Sequence, residues 1–380
     1  LDNYDSLSTN GWTNGSVDVT ITPSDSAGSA NSGIDATNYC SEVDGGAPCT
    51  YTPTTPSGNT TPIVISFTES ADSVIVYNLR YYSTDMATNV QTDVVKQVKI
   101  DLEDPHTSTT FDGSSWVSGS NATVTLDSTD YAGSGVAYTY YCVDGDNTCT
   151  NWTQAVPTAG SVDVSLSNTG AIQYVRYYSE DNMGNVEATI HSVAVRIDAT
   201  APTTTASDPT PSATDWINDS VYTFTITPSD AGSGVANTTY CFADAAQADC
   251  DLGSGTTIAG TSPFTFDLDT VAPGNSKSFK VRWYSVDNVS NSQTPDFVIV
   301  NIDNTDPDTI VDSADAPVTD WQDALTETFS LDATDADSGI GAIYWCVDDG
   351  TVATSAPCDP IALQANTGAG VTVNMTEGQA

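Results

Sequence analysis

The sequence predicts an all-β chain of tandem β-sandwiches that together form an extended rod. A tryptophan recurs about every hundred residues, at Trp12, Trp116, Trp216 and Trp321. The segments that follow the tryptophans, such as "VDVTITPSD" and "ATVTLDSTD", alternate apolar and polar positions. That period of two is typical of a strand with one buried face. One strand pattern repeated at a fixed spacing indicates a series of similar domains.

The ends of the repeats are marked by a strand that runs into a proline, as in "VKIDLEDP", "VRIDATAP" and "VNIDNTDP". Proline ends strand pairing and stiffens a linker. These junctions predict four repeats, at 1–104, 105–202, 203–307 and 308–380. Only 59 residues follow Trp321, so the fourth repeat is predicted to stop before its closing strands. Either a longer chain or a strand from another chain would complete it.

The charge balance restricts the partners. The 380 residues contain 8 Lys and Arg against 50 Asp and Glu, a formal net charge of −42. Such a surface repels nucleic acids and anionic lipid headgroups. No stretch of the sequence is long and apolar enough for a membrane helix. We therefore expect no nucleic-acid partner and no membrane insertion of this segment.

The cysteines fall into four close pairs, one in each predicted repeat. The only two histidines, His106 and His191, lie outside the cysteine loops, which argues against zinc sites built on cysteine. Local disulfides are the better interpretation, and they indicate an oxidising, extracytoplasmic compartment. The predicted pairs are Cys40 with Cys49, Cys142 with Cys149, Cys241 with Cys250, and Cys346 with Cys358.

An arginine-containing block recurs later in the repeat, as "LRYYSTDMATNV", "VRYYSEDNMGNV" and "VRWYSVDNVSNS". Arg80, Arg176 and Arg282 occupy one position of this block, although basic residues are rare in the chain. We expect each guanidinium to hold a neighbouring carboxylate or strand-end carbonyls, with ligand binding as the alternative. The once-per-repeat tryptophans are expected to pack in the core or at a sheet edge, with exposed sugar-binding platforms as the alternative.

Together the tryptophan, the alternating strand, "GSGV", the "YYSxD" block and the "IDxTxP" junction resemble the immunoglobulin-like repeats of secreted and surface-anchored bacterial or archaeal proteins. The resemblance covers nearly the whole chain. It implies Greek-key sandwiches in tandem, with roles in adhesion, filaments, surface layers or the spacing of other modules. It implies no catalytic activity.

Calcium is the most substantive site hypothesis, because the acid is nearly all Asp and concentrates at the repeat junctions and in the arginine blocks. No cofactor is required by the sequence. The other interpretation, which stays open, is that these carboxylates cap turns. The candidate ligands are Asp101, Asp104, Asp198, Asp303 and Asp306 at the junctions, and Asp85, Asp181 and Asp287 in the blocks.

Asn-x-Ser/Thr sequences supply candidate glycosylation sites, and a glycan at Asn14 or Asn218 would stand two residues after a repeat tryptophan. About as many such sequences arise by chance in a chain so rich in Ser and Thr, so their number alone is weak evidence. The eight candidates are Asn14, Asn59, Asn121, Asn151, Asn218, Asn237, Asn288 and Asn374.

Motifs of enzymes are missing: there is no G-x-S-x-G elbow, no H-E-x-x-H and no phosphate-binding loop. We therefore expect a non-enzymatic, extracellular or cell-surface protein, structural or adhesive, in a microbial filament, stalk or surface layer. Its expected partners are further copies of itself or neighbouring repeats, glycans, or the surface of a host or neighbouring cell. The alternatives are carbohydrate-binding or spacer modules of a secreted enzyme, and a filament subunit polymerised by strand exchange.

Overall fold

The computed structural model describes residues 3, 10–25, 32–54, 61–207, 215–311, 326–345, 362–364 and 371–376. The chain divides into two compact units, Leu1–Ala199 and Thr200–Ala380. The described residues of both units form strands and turns. Within these described residues the single helical element is a short 3-10 turn at Leu252–Ser254.

The first unit begins with two sheets that face each other. The strands are β1 (Trp12–Thr13), β2 (Val17–Ile21), β3 (Ile34–Val43), β4 (Thr52–Thr54), β5 (Ile63–Phe67), β6 (Val74–Asp85) and β7 (Val94–Asp101). One sheet has the order β1-β7-β6-β3-β4, and the other consists of β2 and β5.

The same arrangement follows in the second half of this unit. Its strands are β8 (His106–Ser108), β9 (Trp116–Ser118), β10 (Asn121–Thr129), β11 (Val136–Asp144), β12 (Thr153–Ala155), β13 (Ser161–Ser167), β14 (Gln173–Asp181) and β15 (His191–Asp198). The sheets have the orders β12-β11-β14-β15-β9 and β13-β10-β8. Strands β10 and β13 pair although β11 and β12 of the other sheet lie between them in sequence, which is a Greek-key connection.

The second unit repeats this topology. Its first strands are β16 (Thr203–Ser207), β17 (Trp216–Ile217), β18 (Thr223–Ser229), β19 (Val235–Asp244), β20 (Thr256–Ala259), β21 (Phe264–Asp267), β22 (Ser276–Asp287) and β23 (Asp296–Asp303). They form the sheets β17-β23-β22-β19-β20 and β16-β18-β21. Further along lie β24 (Asp308–Val311), β25 (Thr326–Thr334), β26 (Ile343–Trp345), β27 (Ala362–Gln364) and β28 (Val371–Thr376). Of these, β24-β25-β28 and β26-β27 pair.

Each pair of sheets encloses one apolar core, which makes each pair a β-sandwich. In β10, every second residue from Ala122 is buried, as the alternation in the sequence predicts. Val124 and Leu126 of β10 are fully buried against Val175 of β14 and Val195 of β15, which belong to the other sheet. The all-β, tandem immunoglobulin-like fold predicted from the sequence is confirmed.

The described repeat tryptophans lie in short strands at one edge of the five-stranded sheets. Trp12, Trp116 and Trp216 are half-buried and lie in the short strands β1, β9 and β17, each of which pairs in parallel with the closing strand of its sandwich. The Lys99 ammonium lies 5.6 Å from the centre of the Trp12 ring. The tryptophans thus lie at a sheet edge; Trp321 lies outside the described residues.

A buried hydroxyl cluster explains the serine of the arginine block. Ser179 shares hydrogen bonds with Thr107 (2.6 Å) and Thr139 (2.9 Å), and all three residues are inaccessible to solvent. Thr107 lies in β8 of the small sheet, while Thr139 and Ser179 lie in β11 and β14 of the large one. The cluster therefore joins the two sheets through hydrogen bonds at the end of the core.

We expect Ser179→Ala to lower the free energy of unfolding by about 1–3 kcal/mol, because the buried hydroxyl of Thr107 loses its hydrogen bond to Ser179. Ser165→Ala is the control, since Ser165 is exposed on β13, and there the change should stay within about 0.5 kcal/mol. Denaturant unfolding of both variants measures the difference. Equal effects of the two substitutions would contradict a stabilising role for the hydroxyl cluster.

Candidate metal centre

Three aspartates meet in the first unit, where its two sandwiches adjoin. Asp101 is the last residue of β7 in the first sandwich. Asp181 is the last residue of β14, and Asp130 directly follows β10, both in the second sandwich. The strand ends bring one carboxylate oxygen of each residue within 4.8 Å of the others. All three residues are buried: Asp101 is 0 % exposed, Asp130 is 7 % exposed and Asp181 is 2 % exposed.

Backbone N–H groups of the loop after β10 fix two of the carboxylates. The Ser134 N–H donates to Asp101 Oδ2 at 2.6 Å, and the Gly135 N–H donates to Asp130 Oδ2 at 2.5 Å. Asn182 holds the loop in turn, because its Nδ2 donates to the carbonyls of Ser134 (2.9 Å) and Gly135 (2.8 Å). The first sandwich thus contributes a carboxylate that the loop of the second sandwich binds.

Asp181 is held by the turn that follows it. Its Oδ1 accepts from the backbone N–H groups of Met183 and Asn185, both at 2.8 Å. Its Oδ2 accepts from Asn185 Nδ2 at 2.8 Å and from the Ser134 hydroxyl at 3.3 Å. These bonds orient the carboxylate without neutralising it.

One oxygen of the cluster lacks a partner. Asp130 Oδ1 is buried and accepts no hydrogen bond. Among the described residues, no lysine or arginine forms an ion pair with any of the three carboxylates. A buried carboxylate oxygen with neither hydrogen bond nor counter-charge is costly, so the geometry favours a bound cation.

The electrostatics of the cluster agree with that interpretation. Burial, helped by the neighbouring charges of Asp101 and Asp181, raises the pKa of Asp130 to about 6, although the hydrogen bond from Gly135 lowers it. Burial also raises the pKa of Asp181, more than its hydrogen bonds to Asn185 and Met183 lower it. Oxygen-only donors with this much negative charge suit a hard cation, and Ca²⁺ takes six to eight oxygens at about 2.3–2.6 Å.

Because Gly133 has no side chain, the carboxylates of Asp101 and Asp130 can lie close to its backbone. A Cβ at this position would lie 2.7 Å from Asp101 Oδ2 and 2.8 Å from each carboxylate oxygen of Asp130. Real Cβ atoms do not approach neighbours so closely, so a side chain there would push the carboxylates apart.

We expect Gly133→Ala to weaken calcium binding by at least about tenfold, because the carboxylates must move from a geometry held by the surrounding loop. Gly145→Ala is the matched control, since a Cβ at Gly145 meets no atom within 4 Å. Calorimetric titration of both variants with Ca²⁺ measures the difference. Unchanged calcium affinity in Gly133→Ala would show that the ion binds elsewhere.

Parts of the same arrangement recur in the chain. In the second unit, the Ser338 N–H donates to Asp303 Oδ2 at 3.1 Å, as Ser134 does to Asp101. The carboxylates of Asp230 and Asp287 in that unit also lie within 4.8 Å of each other. In the first sandwich, Asp25 Oδ2 accepts from the Gly33 N–H at 3.0 Å. Such recurrence is expected if the same kind of metal site forms at each junction between repeats.

Only some of the aspartates predicted as calcium ligands join the cluster. Asp101 and Asp181 do. Asp104 lies outside it, and burial raises its pKa, helped by the charges of Asp72 and Asp181. Asp306 is exposed.

The other candidate ligands are the strand-terminal Asp85, Asp198, Asp287 and Asp303. The amide of Asn89 lowers the pKa of Asp85 by donating to its carboxylate. Asp287 accepts hydrogen bonds from the backbone N–H and the side-chain amide of Asn291, both at 2.7 Å. Asp303 accepts from Thr305 as well as from Ser338, so Asp85, Asp287 and Asp303 cap their own turns, as the alternative interpretation expected.

Asp130 was missed by the sequence analysis as a ligand. The signal was present, since an aspartate recurs in each repeat 13 or 14 residues after the tryptophan, at Asp25, Asp130, Asp230 and Asp335. In the sequence Asp130 is distant from the junction between the repeats, and only the fold brings it to that junction. The glycines that follow it could have indicated a loop that wraps a carboxylate.

The predicted disulfides are present in the three repeats where both cysteines are described: Cys40–Cys49, Cys142–Cys149 and Cys241–Cys250. Cys346 and Cys358 lie outside the described residues.

Each arginine of the recurring block lies opposite the first cysteine of its pair in the sheet. Arg176 donates to the Thr148 carbonyl (2.7 Å), and Arg282 donates to the Cys250 carbonyl (2.9 Å). Arg80 instead binds the Glu42 carboxylate at 2.9 Å. In all three repeats the guanidinium thus contacts the cysteine loop or the strand leading into it.

The candidate glycosylation sites differ in what their amides do. Asn288 Nδ2 donates to the carbonyls of Ser233 (2.8 Å) and Gly234 (3.0 Å), so a glycan there would displace part of this contact. Asn14 Nδ2 donates to the Met183 carbonyl at 3.0 Å. Of the remaining candidates, Asn121, Asn151 and Asn218 are exposed and Asn237 is half-buried, while Asn59 and the side chain of Asn374 lie outside the described residues.

No helix among the described residues is long and apolar enough to cross a membrane. No family model matches the chain, and no curated protein matches it.

Several solved structures are similar. The fibronectin(III)-like modules of Clostridium thermocellum CbhA match with 14 % identity and a TM-score of 0.22, over 50 % of this chain and 88 % of theirs. The chicken CNTN1 FN1-FN3 domains match with 9 % identity and a TM-score of 0.25, over 76 % and 94 %. A Ca²⁺-stabilized adhesin that helps an Antarctic bacterium bind ice matches with 17 % identity and a TM-score of 0.28, over 90 % and 83 %. Similarities at this level assign no function to the chain.

Proposed function

We propose that the chain is a structural and adhesive segment of a microbial extracellular filament, stalk or surface layer, in which Ca²⁺ fixes neighbouring immunoglobulin-like repeats to one another. The observation that carries this proposal is the cluster of Asp101, Asp130 and Asp181. One buried carboxylate comes from the first sandwich and two come from the second, and no cationic side chain in the described part of the chain balances them.

Such an ion would act as a strut between the two sandwiches. Bound to Asp101 on one side and to Asp130 and Asp181 on the other, it would remove the bending freedom of the residues that join the sandwiches. Two direct contacts act in the same direction: Asn185 Nδ2 donates to the Asp101 carbonyl at 3.2 Å, and Asn14 Nδ2 donates to the Met183 carbonyl. A stiff junction suits a protein that carries load or spans a distance.

The extracellular location is supported by the disulfides and by the chemistry of the proposed ion. Disulfides persist in oxidising compartments, and three are present here. Extracellular modules bind Ca²⁺ with dissociation constants of about 10⁻⁴–10⁻³ M, which requires calcium at concentrations found outside cells. The net charge of −42 keeps neighbouring copies apart unless divalent ions screen it.

The proposed role needs no catalytic step, and its partners are further repeats of the same kind, further copies of the chain, or glycans on another surface. Antibody labelling of intact source cells tests the extracellular location. Electron microscopy of isolated surface material, in Ca²⁺ and in a chelator, tests the role of calcium. We expect label on intact cells, and sandwiches that are collinear in Ca²⁺ and bent in the chelator. Label that appears only after permeabilisation would contradict the location, and collinear sandwiches in both conditions would contradict the role of calcium.

A further inference from the structure

Both histidines of the chain lie against one carboxylate. His106 and His191 are far apart in sequence, and they are the only histidines among 380 residues. His191 Nε2 lies 2.8 Å from Glu187 Oε1, and His106 Nδ1 lies 3.4 Å from the same oxygen. The three possible ligand atoms lie within 4.8 Å of one another. The fold therefore assembles the whole histidine content of the protein at one point.

The elements that assemble this group are the first and last strands of the second sandwich. His106 opens β8, His191 opens β15, and Glu187 lies in the turn between β14 and β15. The rings of the two histidines are nearly perpendicular, with their centres 5.8 Å apart. Two imidazoles and a carboxylate thus converge from separate elements.

Comparison with the other sandwiches shows that this group exceeds what the fold needs. The Ser179 N–H donates to Glu187 Oε2 at 3.1 Å. At the equivalent place in the first sandwich, the Ser83 N–H donates to Gln91 Oε1, also at 3.1 Å. A glutamine, which carries no charge and is a poor metal ligand, therefore fills the structural role of Glu187 in the neighbouring sandwich.

The histidine positions differ between sandwiches in the same way. His191 pairs with Tyr177 in the sheet, and the residues paired at that place in the other two sandwiches are Val94 and Asp296. His106 pairs with Thr129, and its counterpart in the third sandwich is Thr203. The group of two histidines and a glutamate is thus specific to the second sandwich.

The glutamate is held in place before any ligand arrives. Glu187 Oε1 accepts from the Thr107 N–H at 2.9 Å, in addition to the bond from Ser179 to Oε2. The ring of His191 stacks on Tyr177, with centres 5.4 Å apart and planes at 21°. Side-chain exposure is 6 % for Glu187, 28 % for His191 and 51 % for His106, so an ion can reach the group from solvent.

We propose that His106, Glu187 and His191 bind a divalent transition-metal ion of the zinc class. Two imidazole nitrogens and one carboxylate oxygen are ligands that Zn²⁺ takes at about 2.0–2.2 Å, with a water in a fourth position. A tetrahedral ion keeps its ligands about 3.3 Å apart, close to the 2.8 Å and 3.4 Å separations from Glu187 Oε1. Binding at His191 Nε2 uses the tautomer that carries its proton on Nδ1.

This site differs in chemistry from the aspartate cluster, because Ca²⁺ prefers oxygen ligands and zinc-class ions prefer imidazole. The bound ion would join the first strand of the second sandwich to its last one, directly after the junction. We therefore expect it to stabilise the strand that leads out of the first sandwich.

The test is calorimetric titration of the whole chain with Zn²⁺ in saturating Ca²⁺, with Co²⁺ absorption as a report on imidazole ligation. We expect one tight site per chain, a visible Co²⁺ spectrum, and a higher unfolding temperature with Zn²⁺. Glu187→Gln and His106→Thr place residues from the equivalent positions of neighbouring sandwiches, so both variants should fold. Each should weaken Zn²⁺ binding by at least about tenfold.

Glu180→Gln is the matched control, because Glu180 lies on β14 and accepts from the Tyr140 hydroxyl without contacting the histidines. It should leave Zn²⁺ affinity unchanged. Zn²⁺ binding that is equal in all four proteins, or a Co²⁺ spectrum without imidazole character, would overturn the proposal. If Glu187→Gln fails to fold, His106→Thr at a half-exposed position still decides the outcome.

Discussion

Calcium is expected to raise the unfolding temperature of the wild-type chain by several degrees, and Asp130→Asn is expected to remove most of that rise. At a calcium concentration about one hundred times the dissociation constant, one bound ion stabilises the folded state by about 2.7 kcal/mol. For a unit of about 200 residues this corresponds to about 5–10 °C. The substitution removes the carboxylate of Asp130, whose buried Oδ1 accepts no hydrogen bond.

The same variant should behave in the opposite way without calcium. In a chelator, Asp130→Asn removes a charge that repels Asp101 and Asp181, while the amide oxygen can still accept from the Gly135 N–H. We therefore expect it to be at least as stable as the wild type there. Asp163→Asn is the control, because Asp163 is an exposed residue on β13 bonded to the Thr125 hydroxyl. Differential scanning calorimetry in both conditions measures the effect; an equal calcium response in Asp130→Asn and wild type would contradict the assignment.

The second large effect is a dependence on pH whose sign reverses with calcium. In the chelator, the chain should gain stability as the pH falls from about 7 to about 5. Burial raises the pKa of Asp130 to about 6 in the folded protein, whereas an aspartate in an unfolded chain titrates near about 3.9. Because the folded state binds this proton more tightly, its contribution to stability is fully present below the unfolded pKa and is lost as the pH rises through about 6.

With calcium bound, protons compete with the ion for the same oxygens. The stability of the calcium-bound chain should therefore fall as the pH falls from about 7 to about 5. Carboxylates with lowered pKa act in a separate window: the hydroxyls of Ser114 and Ser115 lower the pKa of Asp112 to about 2, so its contribution is lost only as the pH falls below about 4. Thermal unfolding from pH 5 to 7, with Ca²⁺ and with chelator, measures both slopes. Asp130→Asn should flatten the slope in chelator, and a wild-type slope of the same sign in both conditions would count against the account.

Much of the fold could be read from the sequence because its signals are local and repeated. The alternation in β10 predicted which residues face the core, and the close cysteine pairs predicted the disulfides. The tryptophans gave the period, although their place at a parallel sheet edge depends on strand pairing that the sequence does not encode locally.

The sites could be predicted only in part, since they form between residues that are distant in sequence. Asp101 and Asp181 were candidates because their motifs recur, whereas Asp130 became a candidate only when the fold placed its loop against the end of β7. His106 and His191 are far apart in the sequence, and no motif links them. They meet at Glu187 because strands β8 and β15 both begin beside the turn that contains Glu187.

The most direct measurement is X-ray diffraction from crystals of the chain grown with Ca²⁺, with data collected for anomalous scattering. The proposed calcium site should give an anomalous peak between Asp101, Asp130 and Asp181, with carboxylate oxygens at about 2.3–2.6 Å and further backbone or water oxygens completing the shell. Three carboxylates separated by water alone, or joined through protons without a metal peak at saturating Ca²⁺, would contradict it.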